Sequence, residues 1–450
     1  MQKNLILASI IILGIGLSLF IAHLNGNLYR TKLSDYRDDS RFFIEKAEFL
    51  LKEGSFRDDL SEFRKPPVYP LFLAVVFSLF GHNPIGIWVV QILLFAVTLV
   101  LLYLISRRFF ADTIAFVPSL LLALYWGNAY LVFSILSYGP AVFLLVFLVY
   151  LTFYYKEQPS LQVLIVWSLI LSILILTRPI VLYATPFLVG FLLYNHLQKS
   201  RRIFIGEIML VTIILTSIVG AWLLRNQILF NDYQIEQTGH IIWVKGAIAE
   251  ASLRDIAAYG VSGLLGDFVA DRFFPGYALS PLPMRINRTV KQIWSNLRVN
   301  GMNDFEIDAY FLREGIIKIR RNISGVFLSS IPSIFEINAP MNHKGFSLAH
   351  FLTGTRPSIS DNARLTIIIL IRGAWLFFLS VVAYGFVRAY KTDRRWRVLL
   401  FLIVYFVYMH ALLIIPAYGP YIAPVMPFYF MLATLAIREI FGIETTSKKK

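Results

Sequence analysis

Acidic and basic side chains are concentrated in one stretch of the chain, residues 38–70, which reads DDSRFFIEKAEFLLKEGSFRDDLSEFRKPPVYP. Asp38 and Asp39 open the stretch, and Arg64 and Lys65 stand near its end. A carboxylate close to a cation can act as a general base beside an anionic group of a substrate. The structural alternative is that one Asp caps a helix and complements its dipole. The sequence alone leaves both roles open.

The stretch predicts two helices joined by a stiff connection. Apolar residues recur at helical spacing between Ser40 and Lys52, which indicates an amphipathic helix lying along the membrane surface. Prolines at 66, 67 and 70 favour an extended entry into the next apolar run. That run, Tyr69 to Gly81, is about 13 residues long and too short to cross a bilayer, so we expect a re-entrant or interfacial helix.

The composition defines the class of protein around this stretch. Of the 450 residues, 57% are hydrophobic and only 15% are charged, and the mean hydropathy is +0.66. These values, with repeated apolar runs near 20 residues, predict an all-α polytopic membrane protein. The net charge of +15 does not indicate nucleic-acid binding, because the basic residues form short clusters between apolar runs. The absence of cysteine excludes disulfides, thiolate metal sites and cysteine nucleophiles.

About ten apolar runs are long enough to be candidate transmembrane helices. They lie at 5–24, 85–105, 112–127, 139–155, 161–176, 180–196, 203–222, 365–388, 398–415 and 421–441. With the N-terminus inside, the basic clusters at Arg107, Lys156, Arg201, Arg394 and Lys448 all fall on the cytoplasmic side. The pattern therefore predicts cytoplasmic N- and C-termini, with residues 25–68 on the outer face of the cell membrane.

This organisation divides the chain into three parts. Residues 1–222 form an N-terminal transmembrane module that includes the outer loop 25–68, and residues 364–450 form the C-terminal transmembrane helices. Between them, 223–363 has mixed polarity and predicts a small insert on the outer face, in which Gly315 to Phe335 is a candidate interfacial helix.

Three arginines lie in or near the predicted spans. Arg372 lies inside the eighth span, where an ionisable side chain faces a wet interior or snorkels to the surface. Arg178 and Arg225 lie at the outer ends of spans, where snorkelling alone would also explain them. His410, in the ninth span, has no second ligand at metal-binding spacing, so we predict no metal and no cofactor.

Four motifs occur in an order that extends over almost the whole chain. They are D-S-x-x-F-x-x-x-A at 39–47 followed by R-K-P-P-V-Y-P-L-F-L-A at 64–74, L-T-R-P at 176–179, W-L-L-R-N at 222–226 and Y-I-A-P-V-M-P at 421–427. The ordered set resembles the GT-C fold, polyprenyl-phosphate-sugar-dependent glycosyltransferases. These include the protein O-mannosyltransferases and the aminoarabinose transferases of glycosyltransferase family 39. The resemblance implies a GT-C-like bundle of about 10 transmembrane helices.

The resemblance also implies roles for individual residues. Asp39 would be the catalytic carboxylate, with Asp38 as the less favoured candidate. The phosphate of the donor would be bound by cations, and the substrates by tyrosines. The implied phosphate-binding residues are Lys65, Arg64, Arg225 and Arg178, and the implied substrate-binding residues are Tyr69 and Tyr421. Arg372 is a further phosphate-binding candidate because of its position inside the eighth span.

The sequence thus predicts an inverting glycosyltransferase that moves a sugar from a polyprenyl-phosphate donor to an acceptor hydroxyl at the outer membrane face. The acceptor would be a lipid, a glycan or a protein. The rival hypothesis is a transporter or flippase, in which Arg372 and the interrupted outer helix would line a path. A polysaccharide polymerase or ligase is a third possibility.

Overall fold

The structure, a computed structural model, describes residues 2–24, 26–36, 38–56, 65–339, 361–413 and 419–442. These residues form α-helices and short 3₁₀ or π turns, and no strand occurs among them. The helices are α1 Gln2–Leu24, α2 Asp38–Glu53, α3 Val68–Phe80, α4 Pro84–Ser106, α5 Val117–Leu124, α6 Asn128–Phe133, α7 Tyr138–Glu157, α8 Leu161–Ile175, α9 Thr185–Lys199, α10 Arg201–Leu215, α11 Ala221–Phe230, α12 Gly239–Ala249, α13 Leu253–Leu265, α14 Asp267–Phe273, α15 Leu282–Val299, α16 Asp304–Arg321, α17 Ile323–Ile337, α18 Asp361–Thr392, α19 Arg397–Leu413 and α20 Met426–Ile440.

Seven helices of the described chain are long and apolar enough to cross a membrane. They are 3–24, 84–106, 138–157, 201–230, 365–392, 394–412 and 421–440, where the helix 201–230 joins α10 to α11 through a π turn at Thr216–Gly220. Shorter apolar helices cover 68–80, 161–175, 179–194 and 323–337. Apolar helices of this length form all their backbone hydrogen bonds internally and can therefore span lipid. The prediction of an all-α polytopic membrane protein is confirmed.

One predicted span differs from the structure. Residues 112–127 do not form a single helix, because α5 begins at Val117 and ends at Leu124. The Asn128 side chain donates to the Leu122 carbonyl, and the backbone N–H of Tyr125 also donates to it. These bonds turn the chain into the short helix α6, which Gln91 fixes by donating to the carbonyls of Val132 and Ser134. Two short helices therefore stand where the sequence predicts the third span.

Contacts between helix ends identify one end of the bundle, which we call the basic end. Arg108 Nε lies 2.7 Å from Glu157 Oε1, and the rings of Phe109 and Trp396 lie 4.3 Å apart. The same end holds three further pairs: Lys3 with Asp112, Tyr155 with Glu207, and Arg388 with Glu439. The basic clusters near Lys3, Arg107 and Arg394, which the sequence predicts on one side, therefore meet at one end of the bundle.

The opposite end, which we call the site end, holds the first residues of α4 and α7 and the last residues of α8, α11 and α19. Helix α3 lies here, and Gly81 ends it with φ +79°, a conformation that glycine adopts without strain. At 13 residues, α3 is roughly 20 Å long, too short for the hydrocarbon thickness of about 30 Å. The predicted short helix over 69–81 is thus found as Val68–Phe80.

The described part of the insert, 223–339, contains helices α12 to α17 around its own apolar cluster of Trp243, Tyr259 and Phe311. Helices α12 and α16 pack backbone to backbone, because a Cβ at Gly315 would lie 2.6 Å from the Trp243 nitrogen. The candidate helix Gly315 to Phe335 is divided in two at Asn322. The Asn322 side-chain oxygen accepts a hydrogen bond from the Gly325 N–H at 2.9 Å and so caps α17.

Candidate active site

The packing of α2 on α3 brings Asp39 close to a cation. Phe43 and Tyr69 meet edge to face with ring centroids 4.9 Å apart. Asp39 lies four residues before Phe43, and Lys65 lies four residues before Tyr69. Lys65 Nζ lies 3.9 Å from Asp39 Oδ1, and the Asp39 side chain is 68% exposed. The carboxylate is therefore accessible to a second molecule while a cation lies beside it.

A backbone hydrogen bond ties this pair to the L-T-R-P motif. The N–H of Val68 donates to the carbonyl of Leu176 at 3.4 Å. Val68 follows Lys65 by three residues, and Leu176 precedes Arg178 by two. The connection through Pro66 and Pro67 is thereby held against the end of α8, which places Lys65 and Arg178 in one cluster.

Arg178 lies over an aromatic surface that three helices supply. Its guanidinium carbon lies 3.9 Å from the centroid of the Tyr138 ring and 6.0 Å from that of Tyr421. Tyr421 also packs against His410 at 5.2 Å, and the Nδ1 of buried His410 lies 2.6 Å from the Phe406 carbonyl. A planar guanidinium over such rings is held in orientation while its donors remain able to meet an anion.

A second carboxylate enters the cluster from the insert. Asn226, fully buried, donates its side-chain N–H to the Gln234 carbonyl at 2.8 Å, and Trp222 Nε1 donates to the Ile235 carbonyl at 3.2 Å. These two bonds hold the loop before α12, in which Glu236 is the next residue. Trp222 and Asn226 of the W-L-L-R-N motif thus hold a loop in which no sequence motif occurs.

The electrostatics of Glu236 and His240 reflect the same neighbours. Burial raises the pKa of Glu236, the positive charges of Lys65 and Arg178 act in the opposite direction, and Asp39 adds a smaller upward effect. Burial, assisted by Lys65, lowers the pKa of His240 to about 4, so this imidazole is neutral at pH 7. Asp39, Lys65, Arg178, Glu236 and His240 are therefore close enough to influence one another.

The remaining candidates from the sequence lie elsewhere or have other contacts. Arg225 lies over the rings of Trp222 and Phe230 and donates to Asn226 Oδ1 at 2.7 Å. Tyr69 is 1% exposed and packs between α2 and α3 rather than facing the cluster. Arg372, which is 3% exposed, donates to the Gly263 carbonyl at 2.7 Å and has Glu336 and Asp267 as its charged neighbours.

Two candidates cannot be placed. Arg64 lies outside the described residues. Asp38 is the first residue of α2, and its side chain is likewise not described. Their predicted roles stay predictions.

Glu236, His240 and Tyr138 are not among the residues predicted from the sequence. No motif marks any of them, and Glu236 and His240 fall in an insert of mixed polarity. One signal could have identified Glu236, because it follows the W-L-L-R-N motif by ten residues in a polar connection at the predicted outer end of a span. A carboxylate at such a position would have been a reasonable site candidate.

The cluster can perform a limited set of reactions. It contains one accessible carboxylate, two cations, one carboxylate with a raised pKa and a neutral imidazole. Within the described chain no three His, Asp or Glu side chains are grouped to hold a metal ion. Two cations beside an exposed carboxylate suit acid–base chemistry on a ligand that carries a phosphate.

The chain is thus an all-helical polytopic membrane protein with a charged cluster at one end of its bundle. Residues 64–222, somewhat more than a third of the chain, match the family described as dolichyl-phosphate-mannose-protein mannosyltransferase. This match confirms the resemblance to the GT-C glycosyltransferases that the sequence motifs indicate. No curated protein matches the chain.

Three solved structures of membrane transferases are similar to the chain. The oligosaccharyltransferase AglB from Archaeoglobus fulgidus, in complex with an inhibitory peptide and a dolichol-phosphate, is 14% identical with a TM-score of 0.45, covering 97% of this chain and 52% of its own. The apo form of the Archaeoglobus fulgidus oligosaccharyltransferase is 13% identical with a TM-score of 0.45, covering 95% and 50%. ArnT from Cupriavidus metallidurans, bound to undecaprenyl phosphate, is 13% identical with a TM-score of 0.40, covering 95% and 77%. The chain spans about half the length of the archaeal oligosaccharyltransferases that it matches.

Proposed function

We propose that the protein is a membrane glycosyltransferase that moves a sugar from a polyprenyl-phosphate donor to an acceptor hydroxyl. The observation that carries the proposal is the Asp39, Lys65 and Arg178 cluster at the site end. It combines an accessible carboxylate with two cations from separate segments, Lys65 before α3 and Arg178 after α8. The family match over residues 64–222 covers both cations and supports the same activity.

In the proposed reaction, Asp39 accepts the proton of an acceptor hydroxyl as the hydroxyl oxygen attacks the anomeric carbon. The bond between that carbon and the phosphate oxygen breaks, and its electron pair leaves with the polyprenyl phosphate. Attack opposite to the leaving group inverts the configuration at the anomeric carbon. Lys65 and Arg178 stabilise the negative charge that grows on the departing phosphate.

The proposed location of the reaction is the outer face of the cell membrane. The basic clusters meet at the end of the bundle opposite to the Asp39 cluster, and short cytoplasmic loops are enriched in Lys and Arg. The start of α1 and the end of α20 lie at the basic end, which supports cytoplasmic termini. The lipid-linked donor would then reach the site by lateral diffusion within the bilayer.

The test is donor turnover by the purified protein. A panel of polyprenyl-phosphate-linked sugars is incubated with the wild type in detergent, and the release of free polyprenyl phosphate is measured. In parallel, proteoliposomes are assayed for movement of the intact lipid-linked sugar across the bilayer. Release of polyprenyl phosphate is expected, whereas movement of intact donor without cleavage would favour the transporter hypothesis.

A further inference from the structure

A cavity of about 460 Å³, which we call the α18 cavity, runs along one face of α18. Its lining residues on this helix extend from Arg372 to Val387 and recur three or four positions apart, so they share one face. The 15 positions between them correspond to roughly 22 Å of helix, more than half of the hydrocarbon thickness of about 30 Å. Helices α13, α17, α19 and α20 supply the other walls, and no side chain of the Asp39 cluster lines the cavity.

The polar side chains in the cavity wall, apart from one, are paired with other groups of the wall. Tyr429 Oη donates to Asn338 Oδ1 at 2.8 Å, and Asn338 Nδ2 donates to the Ile334 carbonyl at 2.8 Å. Trp375 Nε1 donates to the Asn338 carbonyl. The remaining lining side chains other than Arg372 are apolar, so the cavity suits a hydrocarbon chain.

Arg372 lies at the site end of the cavity and has an unpaired hydrogen-bond donor. Its side chain is 3% exposed, and its Nη1 donates to the Gly263 carbonyl at 2.7 Å. Its Nη2 is also buried and has no hydrogen-bond partner among the residues that the structure describes. A buried guanidinium remains charged, so an unpaired donor on it is costly unless a bound molecule supplies an acceptor. Phosphate oxygens suit this fork-shaped group.

Two acidic side chains beside Arg372 indicate which head group would accompany the phosphate. Glu336 and Asp267 are its charged neighbours, and both line a second, polar cavity of about 280 Å³. The two cavities are adjacent, because Ser262 and Glu336 line the polar one and their chain neighbours Gly263 and Phe335 line the α18 cavity. An ammonium group on the same molecule as the phosphate would find acceptors in the two acidic side chains.

The cavity opens to the surface that would face lipid. Ala383 and Val387 line the cavity and are also exposed, Val387 to 48%. Both lie on the candidate membrane span 365–392, so their exposed surface would meet the bilayer. The order of residues along α18 places Arg372 nearer the site end and Val387 nearer the basic end. A lipid in the cavity would therefore have its head group at the site end and its chain directed toward the middle of the bilayer.

We propose that the α18 cavity binds a bilayer phospholipid with a phosphoethanolamine head group. Arg372 binds the phosphate, the ammonium group lies beside Glu336 and Asp267, and one hydrocarbon chain fills the cavity. The glycosyl donor is not the occupant, because its phosphate belongs with Lys65 and Arg178 in the proposed reaction and neither residue lines this cavity. The bound lipid joins the insert to α18, since α13 and α17 of the insert form part of the wall.

The experiment measures which lipids stay bound to the purified protein. The protein in detergent is equilibrated with a mixture of a phosphoethanolamine lipid, an anionic phosphoglycerol lipid and polyprenyl phosphate, and native mass spectrometry counts the lipids retained. We expect the wild type to retain one phosphoethanolamine lipid. Arg372→Gln should weaken its binding about 10- to 100-fold, the loss typical of a hydrogen bond to a charged group. Arg397→Gln removes an exposed arginine at the basic end and should bind as the wild type does.

A second pair of variants tests the hydrocarbon part of the site. Ala383→Trp places a large side chain in the cavity and leaves Arg372 unchanged, so it should also lose the lipid. Ala374 is an exposed alanine of the same helix outside the cavity wall, and Ala374→Trp should keep the lipid. This pair decides the question even if Arg372→Gln does not fold.

Several results would overturn the proposal. Equal retention of the phosphoethanolamine lipid by the wild type and Arg372→Gln would remove Arg372 from the site, and retention by Ala383→Trp would remove the chain from the cavity. Arg372-dependent retention of the phosphoglycerol lipid or of polyprenyl phosphate instead would assign the cavity to a different lipid. Lys65→Gln should lose polyprenyl phosphate and keep the phosphoethanolamine lipid. Neither readout requires sugar transfer, so failure of the lipid site and failure of the proposed function are distinguishable.

Discussion

Arg178 has a property that a phosphate-binding cation needs, which is a fixed orientation. Its guanidinium lies 3.9 Å over the Tyr138 ring, within a wall that Tyr421 and His410 complete. A lysine at this position would keep the charge but lose the planar fork and the stacking.

We therefore expect Arg178→Ala to lower kcat for donor cleavage by about 10²- to 10³-fold, the loss typical of removing one donor to a developing negative charge. Arg178→Lys should recover part of kcat while keeping a raised donor KM. Steady-state kinetics with a polyprenyl-phosphate sugar checks both values. Wild-type kinetics in the Ala variant would remove Arg178 from the phosphate site.

At this scale the sequence indicated part of the cluster. Asp39, Lys65, Arg178 and Tyr421 all lie in motifs, and the structure brings them together. Glu236 was not predictable, because its proximity to the cations depends on hydrogen bonds from Asn226 and Trp222 to a loop eight to thirteen residues further on. Tyr69 lies in a motif but is buried between two helices, so its side chain contributes packing.

Helix α11 and the loop after it are the elements that connect the membrane bundle to the insert. Asn226 is buried and bonds to the loop, whereas Arg225 bonds to Asn226 and to aromatic rings. The two neighbours in one motif can therefore be separated by mutation.

We expect Asn226→Ala to lower the rate of donor cleavage strongly and to destabilise the fold by about 1–3 kcal/mol, because the half-buried Gln234 carbonyl loses its partner. Arg225→Ala should weaken donor use if Arg225 meets the phosphate, as the resemblance implies. Donor KM and thermal unfolding measured on both variants distinguish the roles. An Asn226→Ala protein with wild-type kinetics would show that the loop needs no such anchor.

The close contact between helices α12 and α16 leads to a second prediction. Because a Cβ at position 315 would lie 2.6 Å from the Trp243 nitrogen, Gly315→Ala should destabilise the insert by about 1–3 kcal/mol. Gly373→Ala is the matched control, since no atom lies within 4 Å of a Cβ there. Thermal unfolding should show a lowered midpoint for the first variant only. Equal midpoints would contradict the close packing of these helices.

The ends of a helix could be predicted from the sequence where an apolar run was long enough to span a membrane and was bounded by charged residues. Helices α1, α4 and α7 lie close to their predicted ranges because long apolar runs between charged loops allow few alternatives. The break between α5 and α6 was not predicted, because side chains of Asn128 and Gln91 compete for backbone groups within an apolar run. Such competition is invisible to a hydropathy window.

For the whole molecule, the separation of a basic end from a site end carries the proposed membrane orientation. The chain has no cysteine, so single cysteines report sidedness without background. Glu53→Cys at the site end and Lys391→Cys at the basic end are both exposed positions.

In intact cells we expect a membrane-impermeant thiol reagent to label Glu53→Cys, and to label Lys391→Cys only after the membrane is opened. The reason is that the Lys- and Arg-rich end stays on the cytoplasmic side. The reversed pattern would place the Asp39 cluster in the cytoplasm.

The most direct measurement is the release of polyprenyl phosphate from a lipid-linked sugar by Asp39→Asn, with Asp35→Asn as the control. Asp35 is an exposed carboxylate of the same loop that bonds to the Lys32 N–H. Because Asn cannot take a proton from the acceptor, the Asp39 variant should lose about 10²- to 10⁴-fold in rate while the control retains it. Transfer by Asp39→Asn at the wild-type rate would contradict the assignment of Asp39 as the base.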